Sequence, residues 1–114
     1  MNSSEINRYK RLIESSNVYD VALITPITKA NQLSKTLKNE ILLKREDLQP
    51  IFSFKVRGAY NKLAKLRQNG LTGPVIAASA GNHAQGVSFG AKNLGIKAYI
   101  CLLYTSDAAD EEDS

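Results

Sequence analysis

A single cysteine, a single histidine and no long apolar run set the first limits on this chain of 114 residues. One cysteine, Cys101, excludes an internal disulfide framework and a multi-cysteine metal site. Apolar runs such as Val75–Ala78 and Ile100–Tyr104 fall far short of the roughly 20 residues that a membrane helix needs. The opening Met1-Asn2-Ser3-Ser4-Glu5 is polar and carries an acid where the apolar stretch of a signal peptide would begin. No signal peptide and a cytoplasmic location are therefore expected. His83 has no second histidine and no carboxylate cluster beside it, so no metal site is expected either. Phosphate-loop and dinucleotide fingerprints are absent. Ser79 precedes His83 without a G-x-S-x-G elbow, which leaves a hydrolase triad unsupported.

What is present reads as a globular chain, 43% apolar and 23% charged. Its charge is unevenly placed. Up to Ile100 there are fifteen Lys/Arg against six acids, whereas residues 101–114 hold five acids and no base. Such a split asks for a partner, a tail function or an artefact. The bases are scattered and carry no nucleic-acid-binding signature, so nucleic acid is not an expected partner.

Spacing suggests the elements. Ile6, Tyr9, Leu12 and Ile13 recur at helical intervals behind Ser3-Ser4-Glu5, which predicts a helix over 4–15. Thr25-Pro26 interrupts the next stretch. A short helix is expected over Ala30–Leu37, then a turn at Asn39 and a strand at Ile41–Lys44. Arg45–Pro50 reads as a polar loop, with Glu46 and Asp47 solvated. From Ser53, the stripe Val56, Ala59, Tyr60, Leu63 and Leu66 predicts a second long helix. Val75–Ala78 reads as a strand covered on both faces. Ser79–Asn82 is a short loop before a third helix with Ala84, Val87, Ala91 and Leu94 on one face and Gly95 as its stop. Ile96–Ile100 is the last expected strand. Strands alternating with helices over short connections make an α/β chain, a parallel sheet with crossover helices.

In such sheets ligands sit beyond the strands' carboxyl ends, against the following helix N-termini. Two junctions qualify. At Ser53–Ala59, Lys55 opens a helix, where the macrodipole disfavours a cation. Two readings stand: a Schiff-base amine or general base, or a lysine reaching to solvent. At Ser79-Ala80-Gly81-Asn82-His83, the glycine allows a sharp turn or a close approach to a ligand. Here an anion site on unpaired amides competes with an ordinary helix cap by Asn82 or Ser79.

Together, Lys44–Pro50, Ser53-Phe54-Lys55-Val56-Arg57-Gly58-Ala59 and Ser79–Gly86 resemble one family, the pyridoxal-phosphate-dependent threonine dehydratases (threonine ammonia-lyases) of the tryptophan-synthase-β-like fold, fold type II. The resemblance runs from about Val18 to Ile100, with the three motifs in the family's order. It implies pyridoxal 5′-phosphate as cofactor, held through a Schiff base by Lys55, with Phe54 packed beside it and Asn82 reaching its ring hydroxyl. It further implies that Ser79, Ala80, Gly81, Asn82 and His83 surround the substrate carboxylate, and that the freed Lys55 amine acts as base at the substrate α-carbon. The implied reaction converts L-threonine to 2-oxobutanoate and ammonia by α,β-elimination, with L-serine the alternative substrate and a homo-oligomer the expected full-length state. Racemases of this fold carry a serine where this chain has Ala80, which favours elimination. The Lys-Arg-Glu-Asp-Leu-Gln-Pro form resembles the biosynthetic enzymes that start isoleucine synthesis; the catabolic type stays open.

The family's glycine-rich phosphate loop and its pyridine-nitrogen partner find no match here. Residues 1–100 are accordingly expected to be an N-terminal part of the catalytic domain, inactive alone and with exposed apolar faces. Past Ile100 the resemblance stops. Cys101-Leu-Leu-Tyr-Thr-Ser-Asp-Ala-Ala-Asp-Glu111 is similar to the in-frame translation of a transposase adapter, so residues 101–114 are expected to be a non-native tail, a genuine acidic tail being the alternative.

Overall fold

The computed structural model describes residues 1–102; beyond Cys101 and Leu102, the expected foreign tail lies outside the described residues. The chain begins with helix α1, Ser3–Glu14. Its cap is Asn2 rather than the serines that follow. The Asn2 side chain accepts from the Glu5 N–H at 2.9 Å and the Glu5 carboxylate accepts from the Asn2 N–H at 2.9 Å, a reciprocal box that satisfies two orphan donors. No residue of α1 is buried.

Strand β1, Ile27–Lys29, starts directly after Pro26, and helix α2, Asn31–Leu37, follows it. Strand β2, Leu42–Lys44, pairs with β1 in antiparallel register, Thr28 opposite Leu43. This corrects the expected sheet, because the Ile41–Lys44 run joins a separate two-stranded ribbon. The parallel sheet consists of β3, Val75–Ala78, and β4, Ala98–Cys101, with Ile76 opposite Tyr99. The α/β class holds, with α4 as the crossover between β3 and β4.

Helix α3, Lys55–Gln68, and helix α4, Asn82–Leu94, form the packed centre. Val56, Ala59, Tyr60 and Leu63 of the predicted stripe are buried, while Leu66 is only half-buried. On α4, Val87 and Ala91 are buried, and so are Gly86 and Gly90. The two glycines are required by the closeness of α3: a Cβ at Gly86 would stand 2.9 Å from the Lys55 carbonyl oxygen, and one at Gly90 would stand 3.1 Å from Leu63 Cδ1. Gly86 meets Lys55 and Ala59, whereas Gly90 meets Tyr60 and Leu63. Both helices therefore ascend together. They run parallel, and their N-termini lie at the same end. Gly95, at φ 65°, ends α4 as expected.

The Val75–Ala78 strand is covered on one face only. Val75 and Ala77 are half-buried, whereas Ile76 is 71% exposed and its neighbour Tyr99 49%. Helix α4 packs on the covered face, and no other element among the described residues lies on the second. The exposed apolar faces expected from the sequence are thus present.

Candidate active site

The chemistry-bearing segments converge because α3 and α4 are parallel. Lys55 occupies the first position of α3, with Phe54 as its N-cap. The chain reaches that point through Phe52, a bulky residue at φ 61°, in the left-handed region that normally favours glycine or asparagine. The Ser53 hydroxyl is buried and accepts from the Lys55 N–H at 3.4 Å. The Lys55 side chain is half-buried. Its amine makes no hydrogen bond or ion pair among the described residues, and it stands over the Phe54 ring, 5.5 Å to the centroid. Phe54 itself is exposed.

The second segment leaves β3 at Ser79 and enters α4 at Asn82. Ser79 Oγ accepts from the N–H groups of Gly81 and Ala84 at 3.3 and 3.2 Å. The serine therefore caps the turn, and the exposed Asn82 side chain has no hydrogen-bond partner among the described residues. The Asn82 and His83 N–H groups also find no acceptor among the described residues, as expected of a helix start that can receive an anion. Gly81 has φ −127°, and a Cβ there would meet open space. Among the described residues nothing crowds that position. Ala80 and Gly81 are exposed. His83 is exposed and lines a cavity of about 330 Å³ with Gly58, Lys62 and Ile76; Lys55 does not reach it. A larger hollow of about 590 Å³, between Tyr9, Leu12, Ile13 and Arg57, shares Gly58 with it but is lined by neither Lys55 nor any residue of the Ser79–His83 loop. Only the β3–α4 junction lies at the end of a parallel strand, because β2 belongs to the ribbon.

The expectation that Glu46 is a solvated loop residue is overturned. Its side chain is only 16% exposed. Arg57 forks onto it, with Nε on Oε1 and Nη2 on Oε2 at 3.2 Å. Thr25 Oγ1 and Gln49 Nε2 donate to the same Oε2 at 2.6 and 2.9 Å. The Arg57 hydrogen bonds hold the Glu46 carboxyl at about 2, against an ordinary value of 4.5; Thr25 and Gln49 add to this while burial opposes it. Asp47 does stay exposed, in a surface pair with Arg45. Helical periodicity gave no signal for this cluster, since Arg57 lies off the apolar stripe and its partner stands eleven residues away.

The chain is similar to known proteins. The family model described as "Pyridoxal-phosphate dependent enzyme" matches residues 18–112. The biosynthetic L-threonine dehydratase of Burkholderia multivorans is 52% identical over 98 residues, which cover 86% of this chain and 19% of that protein. The solved structure of the processed form of threonine deaminase isoform 2 from Solanum lycopersicum superposes with TM-score 0.82 at 42% identity, over 96% of this chain and 31% of that one. Maize serine racemase superposes with TM-score 0.70 at 27% identity, over 84% of this chain and 30% of that one. The chain thus spans less than a third of each.

The residues present fit the group that gives the family its description. An aldehyde calls for an accessible amine, and that of Lys55 has no partner among the described residues; a planar ring calls for an apolar neighbour such as Phe54. The free N–H groups and amide at Asn82 suit negatively charged oxygens. With its Lys55 turn and its Ser79–His83 loop at one end of a parallel helix pair, and a match over residues 18–112, this chain belongs to the pyridoxal-phosphate dependent enzymes.

Proposed function

We propose that the chain is the lysine-bearing part of a lyase that converts L-threonine to 2-oxobutanoate and ammonia. The observation that carries this is the convergence of the free Lys55 amine with the Ser79–His83 helix start, together with the similarity to the Burkholderia multivorans and tomato proteins. When bound, pyridoxal phosphate supplies the electron sink for the pair left by the departing α-proton. The protein's own residues do the rest. The Lys55 amine, without a partner among the described residues, takes the α-proton and returns a proton as the β-hydroxyl leaves as water. The Asn82 and His83 N–H groups hold the substrate carboxylate, which fixes the Cα–H bond for the amine. Asn82 would hold the cofactor's ring oxygen, and Phe54 would pack beside the ring. Loss of water leaves an enamine, whose hydrolysis yields the keto acid and ammonia.

A two-base racemisation, as the similarity to maize serine racemase would suggest, needs a second acid on the opposite face. Ala80 offers no proton there, so elimination is favoured. The test is a chimaera in which residues 1–100 replace the matching segment of the Burkholderia multivorans relative. It should release keto acid from L-threonine faster than from L-serine, and Lys55→Ala should abolish the release. A folded chimaera that racemises serine and leaves threonine intact would refute the assignment.

A further inference from the structure

Glu46 and Arg57 form the least solvated ion pair among the described residues, with side chains 16% and 25% exposed. The two other pairs, Lys29–Glu40 and Arg45–Asp47, are both more exposed. Desolvating two charges is costly, and an apolar pair of similar size often serves stability as well or better. The placement of this pair points to a different use.

Three stretches of chain meet at the Glu46 carboxylate. Thr25 and Gln49 bring in the stretch before β1, since the Gln49 amide also exchanges two hydrogen bonds with the Leu23 backbone, at 2.8 and 2.9 Å. Gln49 is 1% exposed, so this junction is fixed. Arg57 brings in the opening turn of α3, where its own N–H donates to the Phe54 carbonyl at 3.0 Å. Between the two anchors lies the loop that delivers Lys55. Phe52 in that loop sits at φ 61°, and strained residues of this kind persist only where the surroundings over-determine them. Arg57 stands two residues beyond Lys55, on another side of the helix. The clamp can act on the lysine only through the backbone.

We propose that Glu46 is a positioning residue for Lys55: through Arg57, Thr25 and Gln49 its carboxylate locks the first turn of α3 to the segment before β1, and so fixes where the amine stands beside the Ser79–His83 helix start. This rests on the reading of Lys55 as the cofactor amine. Charge alone does not satisfy the role, which needs the fork of Arg57 and the full reach of the glutamate.

The test uses the full chain. Pyridoxal 5′-phosphate and, in parallel, formaldehyde are added and trapped with borohydride, and labelling at Lys55 and at the exposed Lys62 is mapped by mass spectrometry. The formaldehyde ratio corrects for simple exposure. Wild type should favour Lys55 with pyridoxal phosphate. Glu46→Asp and Arg57→Lys, which each keep the charge, should lower that preference about tenfold, the scale of loss when a reacting group is misplaced by a fraction of an ångström. Leu63→Ala, buried in α3 away from the clamp, should lower the melting temperature and leave the preference unchanged. Amide hydrogen exchange in the folded variants should quicken at Lys55–Gly58 in Glu46→Asp and stay unchanged at Val87–Ala91. If Glu46→Asp and Arg57→Lys keep the wild-type preference, or Leu63→Ala loses it equally, the clamp is structural only and the proposal falls. If wild type itself shows no preference for Lys55, the cofactor-amine reading fails, and the positioning role falls with it.

Discussion

The two helix openings that share one end of the molecule are held in different ways. The α4 opening is closed locally, by one hydroxyl: Ser79 Oγ receives two N–H groups within five residues of itself. The α3 opening has one long local hydrogen bond, Lys55 N–H to the Ser53 hydroxyl at 3.4 Å, and is otherwise tied from a distance, by a carboxylate eleven residues before Arg57 and a threonine twenty-one residues before that carboxylate. A local cap leaves its loop exposed and its remaining donors free, which suits a loop that receives ligands. A long-range clamp fixes a backbone against the rest of the fold, which suits a reactive amine that must not wander. On the proposed function the difference is one of task, and each side can be broken separately.

Glu46→Ala should have the largest effect. It strands the half-buried Arg57 guanidinium and removes the acceptor for Thr25 and Gln49, which should cost about 3 kcal/mol of stability by denaturant titration. Acid should do the same by degrees. The folded Glu46 carboxyl sits at about 2 and its ordinary value is 4.5, so its contribution is complete above pH 4.5 and is lost as pH falls towards 2. At most about 3 kcal/mol is at stake. Glu46→Gln should flatten stability over that window, as thermal melts at several pH values would report. Gly86→Ala attacks both openings at once by driving a methyl into the Lys55 carbonyl, at about 1–3 kcal/mol. Ser79→Ala should be milder, about 1 kcal/mol, and confined to the α4 side by hydrogen exchange. Asp47→Asn, which breaks only the exposed pair with Arg45, should leave the melting temperature where it was.

These effects follow the line between what the sequence makes legible and what it hides. Val56, Ala59, Tyr60 and Leu63 announce α3 because a helix repeats its buried face every three to four residues. Gly95 and the Val75–Ala78 run are equally local signals. The Ile41–Lys44 run reads correctly as a strand, but its partner does not, because pairing with the three-residue β1 is a tertiary event with no period of its own. Gly86 and Gly90 belong to no apolar stripe, and they matter only once α3 is laid against them. The candidate site divides in the same way. Lys55 and the Ser79–His83 loop stand out by motif. Glu46 stands in a charged run, and only the folded chain distinguishes it from Asp47, its exposed neighbour. The uncovered face of β3 shows the converse: apolar continuity in Val75–Ala78 predicts cover on both sides, and the described residues supply one.

On the proposed function, the α3 and α4 openings make one site. Backbone amide shifts followed during titration with pyridoxal phosphate test it most directly. The account predicts that Lys55, Val56 and Ser79–His83 shift together along a single saturation curve, while α1 and the β1–β2 ribbon stay still. Shifts confined to one opening, or two curves with unrelated midpoints, would contradict it.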